Sequence, residues 1–174
     1  MRRQLILCAL TALALATPAL AVVPKPKPKP KATYDCRAVM PASLFGSLTG
    51  GSVTLTSFAL KKSFFSSCKY GDSNQVILNF GAAGRATGTF AFKHWVAGAT
   101  QATKRDSGTC PQAADPRDCQ LTPLVGFGKQ AYEYAHSIIA LTVRGVFVQV
   151  WSPDRSLSYE QEESVESALL AKIK

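Results

Sequence analysis

The chain has 174 residues, 20 Lys and Arg against 11 Asp and Glu, a formal charge of +9 and a hydrophobic fraction of 47%. No apolar run approaches the roughly 20 residues that a membrane-spanning helix requires, and the chain is long enough for one average domain with a real core. The basic excess resembles that of a nucleic-acid binder until it is divided along the chain: Arg2 and Arg3 belong to a leader, and Lys25, Lys27, Lys29 and Lys31 to a spacer. The remainder keeps 14 basic residues against 11 acidic ones without a basic cluster, so nucleic acid is not an expected partner.

The first 21 residues read as a signal peptide. Arg2 and Arg3 precede an apolar run from Leu5 to Leu15, and Ala19, Leu20 and Ala21 form a small-x-small cleavage site. Cleavage between Ala21 and Val22 is expected. Cys8 sits too early, behind Ile6 and Leu7, for a lipid-modified cysteine. The paired arginines permit twin-arginine export, although the short positive region favours ordinary secretion. A periplasmic or secreted location is the consequence. Residues 22–33 form a Pro/Lys-rich spacer whose core reads PKPKPKPK. Alternating proline and mutually repelling lysines favour an extended polyproline II rod of roughly 25 Å, at about 3.1 Å per residue. Such a cationic rod can contact anionic envelope components electrostatically.

Residues 34–174 read as a single α+β domain stapled by disulfides. Cys36, Cys68, Cys110 and Cys119 survive cleavage, and an even cysteine count in an exported chain points to disulfides. Of the three possible pairings, spacing favours Cys110 with Cys119, leaving Cys36 with Cys68. No C-x-x-C pair exists and neither His94 nor His136 has ligand-like spacing to a cysteine, so no metal and no cofactor are expected. In chain order, Pro41 to Leu48 suits a short helix, and residues 64–70 and 75–80 suit two strands about the turn Gly71 to Asn74. Phe92, Trp95, Val96 and Ala99 follow helical spacing, although Phe90, Phe92 and His94 also alternate as in a strand. A further short helix fits residues 125–132.

The sharpest local signal lies at Arg144 and Gly145. If they form a two-residue turn, Val143 faces Val146, Leu141 faces Val148 and Ile139 faces Val150 on one apolar face. Thr142 with Phe147, Ala140 with Gln149 and Ile138 with Trp151 then make a mixed face that is wet or thinly covered. A last helix comes after Pro153 and Asp154, with Ser158 and Gln161 as a capping box, Glu160, Glu162 and Glu163 near its positive end, and Val165, Ala168, Leu169 and Ile173 along one face. The expected architecture is an antiparallel sheet with helices packed on one face, arranged as a pseudo-repeat of two helix-hairpin-helix units.

Candidate chemistry is sparse. Gly126, Gly128 and Ala131 match G-x-G-x-x-A but lack the βαβ unit and distant acid of a dinucleotide site. His94 and His136 are the residue types suited to acid-base work, yet neither adjoins a nucleophile motif, and Ser137 points away from His136 in a strand. The acids of the last helix are accounted for by its dipole, and no catalytic residues are assigned. Trp151, with Phe147, is the candidate contact surface, because a large apolar group ending a strand on a mixed face needs a cover or a partner.

Taken in order, a leader, a low-complexity spacer, Cys36 before a short helix, Cys68-Lys69-Tyr70, the Gly126 turn, a valine-rich hairpin and a terminal helix resemble the uncharacterised cell-envelope domains of actinobacterial secreted lipoproteins. The resemblance covers most of residues 35–173; the chain lacks the lipobox those proteins usually carry and has Lys129 where they usually have an acid. It implies an extracytoplasmic sensor-like or accessory binding fold and transfers no catalytic residues. The expected function is a non-enzymatic binding or accessory module contacting an envelope protein or polymer. The alternatives are a small envelope hydrolase and an inhibitor or immunity-type protein that binds one enzyme.

Overall fold

The computed structural model describes residues 35–61, 65–79, 85–108, 110 and 113–173. The leader, its Ala21–Val22 junction and the spacer lie outside the described residues. Chain order gives α1 (Cys36–Val39), α2 (Ala42–Thr49), β1 (Leu55–Lys61), β2 (Phe65–Tyr70), β3 (Asn74–Asn79) and α3 (Arg85–Asp106). A 3-10 turn (Pro116–Asp118) then leads to β4 (Thr122–Leu124), β5 (Gln130–Glu133), β6 (Ser137–Leu141), β7 (Phe147–Trp151) and α4 (Tyr159–Lys172). The seven strands form one antiparallel sheet in the order β1-β2-β3-β7-β6-β5-β4. This is the expected α+β class. No described helix is long and apolar enough to cross a membrane.

The helices cover both faces of the sheet, where the sequence pointed to one. On the first face Val76, Val148 and Val150 join Cys36, Met40, Phe45, Cys68, Tyr70, Val165, Leu169 and Ile173, so α1, α2 and α4 close this core. On the second, Ile139, Leu141 and Phe147 pack against Phe92 of α3, with Trp95 and Val96 beside them. Neighbouring strand residues point to opposite faces, and β6 accordingly buries all five of its residues. Residues 88–96 are thus helical, within the 22 residues of α3. Gly88 makes the close approach possible, since a Cβ there would lie 1.8 Å from the carbonyl oxygen of Gly145.

The central hairpin is displaced by one residue from the expected register. Ile138 pairs with Val150, Ile139 with Gln149, Ala140 with Val148 and Leu141 with Phe147. A three-residue loop, not a two-residue one, causes the shift. Thr142 N–H donates to Val146 O, Gly145 N–H donates to Thr142 O, and Thr142 Oγ1 accepts from Val146 N–H. Gly145 has φ 79°, the left-handed residue that closes such loops. The slip divides both expected faces: Ile139 and Leu141 join Phe147, Gln149 and Trp151 on the α3 side, while Ile138 and Ala140 pair with Val150 and Val148 of the first core. Val143 is left exposed.

Residues 125–132 are not a helix. Gly126 (φ 90°) and Gly128 (φ 62°) turn the chain into β5, with Lys129 N–H donating to Leu141 O. The second half therefore enters through β4 and β5 where the first enters through α1 and α2, and the two halves differ in element order. Elsewhere the expected signals operate. The capping box of Ser158 and Gln161 starts α4, and Gln161 Nε2 also donates to Thr49 O at 2.7 Å, tying α4 to the end of α2.

Both cysteine pairs are bonded as spacing suggested: Cys36 with Cys68, linking α1 to β2, and Cys110 with Cys119. The first closes a separation of 32 residues beside the stacked rings of Phe45 and Tyr70, 4.3 Å apart. Replacing Cys36 and Cys68 together by serine is expected to lower the unfolding free energy by about 3–4 kcal/mol through the enlarged unfolded ensemble. Urea denaturation measures this, and an unchanged midpoint would show that the staple contributes nothing.

Candidate ligand groove and its buried acidic neighbour

A cavity of about 520 Å³ opens where α3 leaves the sheet. Its helix wall consists of His94, Trp95, Gly98, Ala99 and Ala102. Their spacing of i, i+1, i+4, i+5 and i+8 places them on one side of α3, and three are too small to reach the strands. The missing side-chain volume is the groove. The opposite wall is Tyr134, Ala135, Ser137, Gln149 and Trp151. Tyr134 meets Trp95 edge to face, with centroids 6.4 Å apart at 79°. On the floor Gln149 Nε2 donates to Ser137 Oγ at 2.7 Å, which leaves the amide oxygen and the serine hydroxyl hydrogen as polar handles in an otherwise carbon-lined site.

The candidate contact pair is divided by this geometry. Trp151 lines the groove and is 37% exposed, whereas Phe147 is 4% exposed in the core beneath α3. Phe147 is therefore a packing residue, because α3 covers its part of the β7 face through Phe92. His94 stands at the groove, exposed and stacked beside Phe90 at 6.2 Å. No carboxylate is among the lining residues.

His136 lies elsewhere. It and Ala135 form the two-residue turn between β5 and β6, closed by Tyr134 N–H to Ser137 O and Ser137 N–H to Tyr134 O, each 3.0 Å. Both have positive φ, 49° for Ala135 and 54° for His136. This conformation ordinarily takes Asn or Gly and strains other residues by the order of 1–3 kcal/mol. Two bonds hold it: Ala135 N–H to Arg117 O and Ser152 N–H to His136 O, each 2.9 Å. The turn sends Ala135 and Ser137 to the groove and His136 to a cluster of charges.

In that cluster His136 Nδ1 lies 3.0 Å from Glu162 Oε1 and Nε2 lies 3.5 Å from Asp118 Oδ1. Its ring stacks on Tyr159 at 4.3 Å, and the Tyr159 hydroxyl donates to Asp118 at 2.6 Å. Arg155 reaches Asp118 at 3.3 Å. Arg117 lies 3.9 Å over the Tyr159 ring, grips Asp115 through two nitrogens and approaches Glu133 at 3.9 Å. Burial lowers the imidazole of His136, against the pull of Asp118. Burial, with Glu133 nearby, raises Glu162 to about 8, and burial raises Glu133 to about 7. Glu166 is pushed well above its ordinary value by desolvation. The Glu162–His136 contact is a hydrogen bond whose donor is set by which partner carries the proton. No serine or cysteine side chain bonds to His136 among the described residues, so the cluster holds no Ser–His or Cys–His pair there. Nor do three His, Cys, Asp or Glu side chains converge to hold a metal ion among the described residues.

The dipole reading of the last helix covers only part of its acids: Glu162 and Glu166 are fully buried. The signal was present in their spacing, since both fall inside the stripe Val165, Leu169 and Ile173. Asp118, Arg117 and Glu133 carried no comparable pattern, because only the fold gathers them. The Gly126 and Gly128 motif is a turn into an antiparallel strand, without a phosphate-binding helix N-terminus.

Three buried carboxyls with raised pKa values bind more protons in the folded than in the unfolded chain. Their contribution to stability is full below the ordinary glutamate range and is lost as pH rises through 7 to 8 for Glu133 and Glu162. The unfolding free energy is therefore expected to fall between pH 5 and 8 by the order of 1 kcal/mol per pH unit for each group that stays protonated. Glu166→Gln, which cannot ionise, is expected to flatten the slope. Denaturant titrations across this range check the sign, and stability rising with pH would contradict it.

No family model, no curated protein and no solved structure matches this chain.

Proposed function

We propose that the chain is an exported, non-enzymatic binding or accessory module of the cell envelope and that the α3 groove is where it takes its ligand. The observation that carries this reading is the groove itself, an uncharged recess walled by Trp95, Tyr134 and Trp151 with an amide and a hydroxyl at its floor. Ligand sites of this kind combine apolar walls with a few polar groups that fix orientation. Trp and Tyr provide large rigid contact area with little rotamer entropy to lose.

Export is supported by the leader read over residues 1–21 and by two disulfides, which suit an oxidising compartment. The Pro/Lys spacer is then a tether whose lysines touch anionic envelope components. The resemblance to envelope domains of actinobacterial secreted lipoproteins agrees with this setting. A segment of an envelope protein or polymer is the ligand class proposed.

The separation of His94 from the carboxylates favours binding over hydrolysis: the groove has a histidine without acids, and His136 with its acids lies outside the groove lining. Soluble envelope glycan and peptide fragments are expected to change the tryptophan fluorescence in a saturable titration. Trp151→Ala should weaken that binding about tenfold or more while leaving the melting temperature within a few degrees, as loss of an aromatic anchor does. Turnover of such a fragment that disappears in His94→Ala or His136→Ala would replace this reading with a hydrolase. Binding unaffected by Trp151→Ala would remove the groove from it.

A further inference from the structure

Among the described residues the strand turns lie at two ends of the sheet, and the ends differ in how their charges are paired. Toward one end, around the starts of β4 and β6 and the ends of β5 and β7, Asp106, Asp115 and Asp118 pair with Arg105, Arg117 and Arg155. The opposite end carries the loop 125–129, the turn 142–146, the last turn of α4 and the first turns of α3. Residues 85–105, 125–132, 138–150 and 167–174 contain no Asp or Glu. Exposed Lys93, Lys129, Arg144 and Lys172 lie in these segments.

Exposed carbon collects at the same end. Val125 is 95% exposed, Val143 73% and Phe90 72%. The loop and the turn are neighbours, since a Cβ on Gly128 would meet Leu141 O at 2.9 Å and Lys129 N–H donates to Leu141 O at 2.7 Å. Shallow recesses join them: Gly126, Val143 and Arg144 share one with Leu170 and Ile173, and Lys129 and Val143 share another with Thr89. Two adjoining turns thus present exposed valines, with Arg144 next to Val143 and Lys129 in the same loop as Val125.

We propose that this end is a docking surface for an anionic phospholipid bilayer. The valines at the tips enter the headgroup boundary while Lys129, Arg144 and Lys172 meet lipid phosphates. An apolar tip alone would suit a protein partner as well. The exposed cations, with no acid in the same segments, select a negatively charged surface, although Glu160 and Glu163 of α4 share a recess with Phe127 on the flank of the loop; two short turns at one end of the sheet suit a shallow insertion depth. This surface is separate from the ligand groove, and its membrane contact does not depend on the groove being occupied.

Hydrogen exchange of the full chain, read segment by segment, tests this with vesicles of phosphatidylglycerol mixed with phosphatidylcholine and with phosphatidylcholine alone. Amides of residues 125–129 and 142–146 are expected to slow only with the anionic vesicles and to recover in high salt, where screening removes the attraction. Lys129→Glu with Arg144→Glu should reduce that protection about tenfold or more, and Val125→Asp should reduce it without altering exchange in β6 and β7. Vesicle binding with unchanged exchange at both turns would overturn the proposal by assigning binding to another part of the chain. Equal protection by neutral vesicles would overturn its electrostatic basis.

Discussion

The constraint on which the rest of the structure depends is the burial of β6 and β7 from both sides. Strands covered on two faces must present carbon at successive positions, and Ile138, Ile139, Ala140 and Leu141 do so. The first core then draws on α1, α2 and α4, and the second on α3. Only because α3 lies on the second face does a groove exist there, at the point where its residues shrink to Gly98, Ala99 and Ala102. The same double cover fixes the hairpin. With a hydrophobic requirement on each side, the three-residue loop closed by Gly145 decides the register, and the side chains on both faces can satisfy it.

The turn between β5 and β6 joins the two chemically distinctive regions. Ala135 and His136 occupy left-handed conformations with no glycine to relieve them, and each is pinned by one backbone bond from outside the turn. Strain of this kind persists where the surroundings over-determine it. Here the stacked Tyr159 ring, Glu162 and Asp118 hold the imidazole on one side, while Tyr134 and Ser137 form the groove wall on the other. Arg117 serves the cluster twice, through its guanidinium on Asp115 and Tyr159 and through its carbonyl on Ala135. The buried acids are costly neighbours. Among the described residues Glu166 has no hydrogen-bond partner for either side-chain oxygen, and desolvation favours its uncharged form.

Local chemistry was legible in the sequence, and non-local competition was not. The capping box at Ser158, the helix after Pro41, the β2–β3 turn and the cysteine pairing rest on residues close together or on simple arithmetic, and they stand. The hairpin at Arg144 was recognisable, but its register was not, because a string of aliphatics satisfies both alternatives and the choice rests on how Thr142 and Gly145 close the loop. Residues 125–132 suit a helix on pattern alone, since Gly126 and Gly128 mark a turn without specifying whether a helix or a strand comes after it. Of the groove, Trp151 was visible as an unusual residue, whereas Phe147 leaves the surface because α3 covers its end of the shared β7 face, which the sequence did not show. The helix wall is silent in the sequence because Gly98 and Ala102 signify only by the space they leave empty. The His136 cluster depends on residues 117, 133, 155 and 162 meeting in space, although the Glu162 and Glu166 spacing inside an apolar stripe was a usable warning.

The central claim, a hairpin in one specific register between two cores, is tested most directly by cross-strand nuclear Overhauser contacts in the folded protein. The account predicts backbone contacts of Ile139 with Gln149 and of Ala140 with Val148, together with side-chain contacts from Phe147 to Phe92. Contacts of Ile139 with Val150 and of Leu141 with Val148, and none from Phe147 to Phe92, would contradict it and remove the groove that α3 creates.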